Sequence, residues 1–102
     1  RQPTVSTQVI NESSHVLRRK QGLSPADLAR LLEDVIAIAT IVEVGMPQIR
    51  KAWDIAARYR YGHYDSLIVA TALSAGCSIL YTEDMQHGQS IDGRMTLIDP
   101  FQ

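Results

Sequence analysis

Apolar residues recur at helical spacing in two stretches of the first half of the chain. The first stretch ends in Arg18-Arg19-Lys20 and Gly22, and cations in a last turn followed by a glycine favour helix termination. The second begins at Ser24-Pro25, where a serine cap precedes a proline at the first helical position. The apolar positions of these two predicted helices are Val9, Ile10, Val16, Leu17, Leu28, Leu31, Leu32, Val35 and Ile36.

Two more helices are predicted in the second half of the chain. The third opens at Pro47, and Gly62 is expected to break it. The fourth runs from about Tyr64 to Ala75, is apolar on most faces and is closed by Gly76, so it is expected to be buried among its neighbours. In the third helix, the apolar residues at helical spacing are Ile49, Ala52, Trp53 and Ala56.

Short runs between these helices predict β-strands. We expect a buried strand within the β-branched run Ile41–Val44 and a core strand at Ile79–Tyr81. An extended segment at Pro3–Ser6 and a last strand at Met95–Ile98 complete the set, with a polar loop, Glu83–Gly93, before the last strand. Strands that alternate with helices predict one α/β domain over residues 1–102, with a mainly parallel sheet.

Three acids are placed to act at the carboxyl ends of these strands, where parallel sheets bind ligands. Glu12 lies in the helix after the first strand, Asp65 in the first turn of the helix after Gly62, and Asp84 just past the strand that ends near Tyr81. All three are expected to reach one edge of the sheet.

Each of these acids also has a plain structural explanation. Asp65 would stabilise a helix dipole by about 0.3–1 kcal/mol, Glu12 would be a solvated helix residue, and Asp84 would belong to a polar turn. Three carboxylates about 5 Å apart would repel one another by about 3 kcal/mol per pair, so a fold tolerates such a cluster only with a cation. Mg²⁺ and Mn²⁺ prefer oxygen ligands, and such a site suits phosphodiester hydrolysis.

Several other classes of chemistry are not favoured. His15, His63 and His87 lack the spacing of a helical zinc pair, and no glycine-rich phosphate loop or nucleophile elbow occurs. Cys77 is the single cysteine, so no intrachain disulfide is expected and a reducing cytoplasm fits. No apolar run approaches the roughly 18 residues of a membrane helix. The formal net charge of -1 excludes a broad basic field, so RNA contacts would need local cation patches.

Three segments resemble the PIN-domain family, in the family's own order and over essentially the whole chain. The segment YDSLIVA at Tyr64–Ala70 resembles the family's W/Y-D-A-L-I-V-A helix start. The segment YTEDMQHG at Tyr81–Gly88 resembles its T-x-D strand end, in the form common among bacterial VapC-like toxins. The segment VSTQVINE at Val5–Glu12 resembles its second strand and following helix, with the glutamate in place.

The resemblance implies a three-layer α/β/α fold and a metal-dependent endoribonuclease using Mg²⁺ or Mn²⁺. Such a nuclease is often a homodimer and often the toxin of a pair with a protein antitoxin. Glu12, Asp65 and Asp84 take the places of three acidic metal ligands, and Thr82 that of the hydroxyl residue beside the last acid. The family's first acid lies on an opening central strand of the D-T-N type, which this sequence lacks before Pro3.

That departure leads to two expectations. The chain alone is expected to have little nuclease activity, and its sheet to fall into two halves with unpaired edges. The sheet could be completed in three ways: by the protein's own N-terminal segment held as a second chain, by a swap with another copy, or by rearrangement of the sheet. A non-catalytic remnant that binds a partner or dimerises, and a DNA-directed nuclease, stay open as alternatives. Three cation clusters are candidate phosphate contacts: Arg18-Arg19-Lys20, Arg50-Lys51, and Arg58 with Arg60.

Overall fold

A computed structural model of the protein describes residues 3–102. The fold is α/β, as expected, and its elements follow one another in the order β1 (Thr4–Ser6), α1 (Thr7–Arg19), α2 (Pro25–Ile38), β2 (Thr40–Val42), α3 (Met46–Tyr59), α4 (His63–Ser74), β3 (Ile79–Tyr81), β4 (Ser90–Ile91) and β5 (Met95–Ile98). The described residues up to Val44 form one compact unit, and Gly45–Gln102 form another.

The first unit joins two parallel strands to two helices. β1 pairs with β2 so that Ser6 lies opposite Val42. Ser6 ends the strand and also caps α1, because its hydroxyl accepts a hydrogen bond of 3.2 Å from the amide of Val9. The predicted cap of α2 is confirmed in the same way, since the Ser24 hydroxyl accepts one of 3.1 Å from the amide of Asp27. Two sequence signals of capping therefore set where these helices begin.

The second unit contains α3 and α4, which pack against each other. α3 begins after Gly45 and ends at Tyr59, where Arg60 adopts a left-handed backbone with φ of 63°. The expectation that Gly62 breaks this helix is wrong, because Arg60 already turns the chain and Gly62 caps α4 instead. The burial predicted for α4 is confirmed, and its buried residues are Ser66, Leu67, Val69, Ala70, Thr71 and Leu73.

A three-stranded sheet in the order β3-β5-β4 completes the second unit. β3 and β5 are parallel, with Tyr81 opposite Ile98, whereas β4 and β5 are antiparallel. β4 was not predicted, because it lies in the segment expected to be a polar loop. It joins β5 through a tight turn in which Asp92 and Gly93 both have positive φ, 53° and 65°, as a type I′ turn requires.

The hydrophobic core lies in the second unit, and its buried residues are Ile55, Val69, Leu73, Met85, Ile91, Met95 and Leu97. Two burial expectations are wrong. β3 is an edge strand of its sheet, so Ile79 and Tyr81 are 47% and 66% exposed. β2 pairs only with β1 among residues 3–102 and is at most half-buried. Trp53, which shares helical spacing with Ala52, is 57% exposed, because α3 turns Ala52 and Ile55 inward instead.

Candidate active site

Asp84 lies in the turn that follows β3, as predicted. Thr82 extends the hydrogen-bond ladder between β3 and β5, since its amide donates a hydrogen bond of 2.9 Å to the carbonyl of Ile98. Its hydroxyl then accepts a hydrogen bond of 3.2 Å from the amide of Asp84. Asp84 is exposed to solvent, while this hydrogen bond ties its backbone to the end of β3.

The loop beyond Asp84 is held to the core at several points. Met85, the next residue, is buried. The amide of Gly88 donates a hydrogen bond of 2.7 Å to the carbonyl of Leu97, and the Nδ1 atom of His87 accepts one of 3.0 Å from the amide of Asp99. These anchors on the carboxyl side and Thr82 on the amino side give Asp84 a defined position, although loops of this composition are often mobile.

Asp65 occupies the first turn of α4, also as predicted. It is half-buried, and it follows the cap residue Gly62 by three positions. The next residue, Ser66, is fully buried, and its hydroxyl donates 3.3 Å to the carbonyl of Tyr61. The buried side of the helix therefore fixes the start of α4 and with it the backbone of Asp65.

Glu12 is exposed on α1, in the first unit, whereas Asp65 and Asp84 belong to the second. The prediction that Glu12 lies in the helix after the first strand is confirmed. Its convergence with the other two acids at a common edge stays a prediction, and so do the roles of all three acids and of Thr82.

The chemical type of these side chains fits Mg²⁺ or Mn²⁺, because carboxylate and hydroxyl oxygens are the ligands that hard divalent ions prefer. Within residues 3–102, however, no three His, Cys, Asp or Glu side chains come together as a metal-binding group. The described acids thus supply suitable donors but not a complete ligand set.

The most extensive ion-pair network of the second unit was not predicted from the sequence. It centres on Asp92 in the β4–β5 turn and on α3. Arg58 and Lys51 approach the Asp92 carboxylate at 2.5 and 3.0 Å, and both also pair with Asp54. The hydroxyl of Tyr59 donates a hydrogen bond of 3.2 Å to the Asp92 carboxylate and accepts one of 2.9 Å from the Asp92 amide. The network therefore fastens the turn to α3.

The electrostatics of this network follow from its hydrogen bonds. Those from Arg58 and then from Lys51 hold the pKa of Asp92 well below its usual range. The hydrogen bond from Arg58 likewise lowers the pKa of Asp54, and the one to Asp92 raises the pKa of Lys51. One sequence signal pointed to this site: Asp92-Gly93 is a dipeptide that favours a hairpin turn. Nothing local indicated its partners on α3.

A surface cavity of about 240 Å³ lies beside the start of α3, and none of the predicted acids lines it. Its lining residues are Pro47, Gln48, Lys51, Ala70, Leu73, Ser74 and Arg94. The predicted acids therefore lie outside this cavity: Asp84 is exposed in the turn after β3, and Asp65 is half-buried in the first turn of α4.

In residues 3–102 the structure is thus that of an α/β protein, with four helices and two small β-sheets. The sequence profile of the PIN domain matches residues 2–89, which is most of the chain, so the protein belongs to the PIN domain family. PIN domains are generally nucleases that use divalent metal ions, and a nuclease-type function follows for this chain. No curated protein sequence gives a match. No helix in residues 3–102 has the length and apolar character needed to cross a membrane.

Proposed function

We propose that this chain is part of a Mg²⁺- or Mn²⁺-dependent endoribonuclease that acts in the cytoplasm as the toxin of a toxin–antitoxin pair. One observation carries the proposal: the PIN-domain match over residues 2–89 includes every predicted site residue, namely Glu12, Asp65, Thr82 and Asp84. The structure supports it locally, because the turn after β3 presents an exposed carboxylate from an anchored backbone.

In this proposal Glu12, Asp65 and Asp84 contribute carboxylate ligands. A bound divalent ion would lower the pKa of a water molecule and neutralise charge on the scissile phosphate. The chain's own contribution is position. The Thr82 hydroxyl holds the amide of Asp84, so the backbone that carries the carboxylate does not have to be ordered when substrate arrives. The first turn of α4 places Asp65 beside unpaired helix amides, which favour an anionic side chain.

A finer proposal concerns what completes the site. The resemblance implies a further acid on a D-T-N-type strand, and β1 and β3 each have strand partners on one side only among residues 3–102. Each edge offers unpaired backbone groups to an added strand. We propose that such a strand, from the same protein or from another copy, supplies the missing acid, and that the 102-residue chain alone is impaired. A homodimer and an antitoxin protein are the proposed partners.

The test compares this chain with a version that carries its upstream coding segment. Both are incubated with RNA, and separately with single-stranded DNA of the same sequence, in Mg²⁺, in Mn²⁺ and in EDTA. We expect metal-dependent RNA cleavage by the longer version, lost on Asp65→Asn or Asp84→Asn. Mn²⁺ binding by calorimetry should weaken in the same variants, which gives a readout independent of activity.

Matched controls are available next to the site. Glu83→Gln removes an exposed carboxylate beside Asp84, and Asp34→Asn removes one from α2. Both should retain cleavage and Mn²⁺ binding. Robust RNA cleavage by the 102-residue chain, abolished by Asp65→Asn, would show that no further acid is needed. Preferential cleavage of DNA would favour the DNA-directed alternative.

A non-catalytic PIN-like domain that dimerises is the second candidate, and exposed apolar side chains on the first unit favour it. Val16 of α1 and Leu31 and Ile38 of α2 are all substantially exposed. Absence of cleavage and of Mn²⁺ binding in the longer version, together with a dimer that Ile38→Lys dissociates, would establish this candidate instead.

A further inference from the structure

Helix α3 carries three faces with different partners. Ala52 and Ile55 are fully buried toward the second unit's core. Lys51 and Arg58 form ion pairs with Asp92 of the β4–β5 turn, and both also pair with Asp54 on the helix. The remaining face, here called the Trp53 face, consists of Met46, Arg50, Trp53, Ala57 and the cap residue Arg60, all of them exposed. These positions recur every three or four residues, so they form one continuous stripe.

The cations of α3 divide sharply between these faces. Lys51 and Arg58 are each held by two carboxylates. The guanidinium groups of Arg50 and Arg60 have no hydrogen-bond or ion-pair partner among residues 3–102. The one acid of the helix, Asp54, belongs to the ion-paired face. The Trp53 face therefore carries two uncompensated positive charges and no negative one, although the chain has a net charge of -1.

Trp53 stands between these two charges. It is the only tryptophan of the chain, and more than half of its surface is exposed. From the rise of an α-helix, Arg50 lies about 4.5 Å along the axis on one side of Trp53, and Arg60 about 10.5 Å on the other. An exposed aromatic ring flanked by arginines is the arrangement with which proteins hold single-stranded nucleic acid, by base stacking and by phosphate contacts.

We propose that the Trp53 face binds single-stranded RNA, with a base stacked on Trp53 and backbone phosphates at Arg50 and Arg60. The proposal rests on the proposed ribonuclease function and adds to it a substrate-holding surface on α3. Charge complementarity selects a polyanion as the occupant. A second copy docking through the same face about a two-fold axis would bring arginine toward arginine, which opposes association.

The structure also revises which cations are available for phosphate. Arg50-Lys51 and Arg58 with Arg60 were candidate clusters as pairs. Lys51 and Arg58 are engaged by carboxylates, so one member of each pair is left, and the two that are left lie on the same face. Neighbours in sequence are thereby separated in function, because successive residues of a helix point in different directions.

The intrinsic fluorescence of the single tryptophan gives a direct test. The chain is titrated with oligouridylate and oligoadenylate of about twelve nucleotides in EDTA, so that no metal-dependent cleavage shortens the RNA. Inorganic polyphosphate serves as a polyanion without bases. We expect the oligonucleotides to quench Trp53 fluorescence and polyphosphate to leave it nearly unchanged, because only a stacked base contacts the ring.

Variants then separate stacking from charge, with affinity measured by anisotropy of labelled RNA. Trp53→Ala should weaken binding about 5- to 150-fold, and Trp53→Phe, which keeps an aromatic ring, should weaken it less. Arg50→Ala with Arg60→Ala should lower the slope of log affinity against log salt by about 1.4, the value for two lost single-strand phosphate contacts. Arg30→Ala removes an exposed cation of α2 that belongs to none of the candidate phosphate clusters, and it should leave Trp53 quenching intact.

The outcomes distinguish this surface from the nuclease itself. RNA that binds without quenching Trp53, with affinity unaltered by Arg50→Ala and Arg60→Ala, overturns the Trp53 face and leaves the ribonuclease proposal standing. Quenching that persists in a metal-loaded longer version that never cleaves RNA overturns the ribonuclease proposal alone. Absence of RNA binding, or Trp53 fluorescence that changes on dilution without RNA, overturns the Trp53 face, the latter in favour of a second copy.

Discussion

Helices α1 and α2 of the first unit and helices α3 and α4 of the second differ in how much they bury. No residue of α1 or α2 is fully buried, whereas α3 and α4 together bury eight, including Ile55 and Val69 at 0% exposure. All four helices had recognisable apolar positions in the sequence. The comparison shows that spacing predicts the existence of a helix, while burial depends on what its neighbours supply.

The largest expected difference between the two units is in the free energy of unfolding lost when a buried or an exposed isoleucine is replaced. Ile55→Ala, at a fully buried position, should lower the free energy of unfolding by about 2–5 kcal/mol, since lost contacts and a residual cavity add together. Ile38→Ala, the same change at a position 63% exposed in the first unit, should alter it by less than about 0.5 kcal/mol. Urea denaturation followed by circular dichroism measures both. Equal effects would mean that the first unit is buried in solution by a partner.

The next largest difference in stability is expected between an ion-paired carboxylate of the second unit and an exposed carboxylate of the first. Asp92→Asn keeps a side chain that tolerates positive φ but removes the charge that binds Arg58 and Lys51, so it should destabilise by about 1–2 kcal/mol. Asp34→Asn on α2 is its exposed control and should be nearly neutral. Because folding lowers the pKa of Asp92, its contribution is present above about pH 4 and is lost as pH falls toward the lowered value. The gap between wild type and Asp92→Asn should therefore narrow in acid; a constant gap would contradict the charge explanation.

The smallest expected change in stability comes from the helix cap at the start of α2, in the first unit. Ser24→Ala removes the acceptor for the amide of Asp27 and should cost about 1 kcal/mol, whereas Ser24→Asp keeps an acceptor and should be close to neutral. Hydrogen exchange of the first amides of α2 reports the loss locally. If Ser24→Ala leaves their protection unchanged, packing rather than capping holds the start of α2.

Local chemistry accounts for what the sequence predicted well. The Ser24 cap, the positive φ of 76° at Gly76 and the placement of Asp65 and Asp84 at element ends all depend on residues within a few positions of one another. The resemblance to the PIN domain is confirmed by the profile match over residues 2–89, which supports a nuclease-type function.

Long-range contacts account for what was missed. Arg58 and Asp92 meet across 34 positions, so no local pattern shows that they pair. Trp53 was grouped with Ala52 by spacing, yet the two lie on different faces because α4 covers only one side of α3. Tyr81 was expected in the core because its strand is apolar, but β3 has a single strand neighbour among residues 3–102. Whether Glu12 joins Asp65 and Asp84 is a question of the same long-range kind.

Arg60 shows how a single position can serve opposing demands. Its left-handed backbone ends α3, and an L-residue with a Cβ is less stable there than glycine by about 1 kcal/mol. Selection for thermal stability alone would thus favour glycine at this position, while a charge on the Trp53 face would be lost. In an engineered library of this protein, Arg60→Gly should raise the melting temperature and, if the Trp53 face binds RNA as proposed, lower the affinity for RNA.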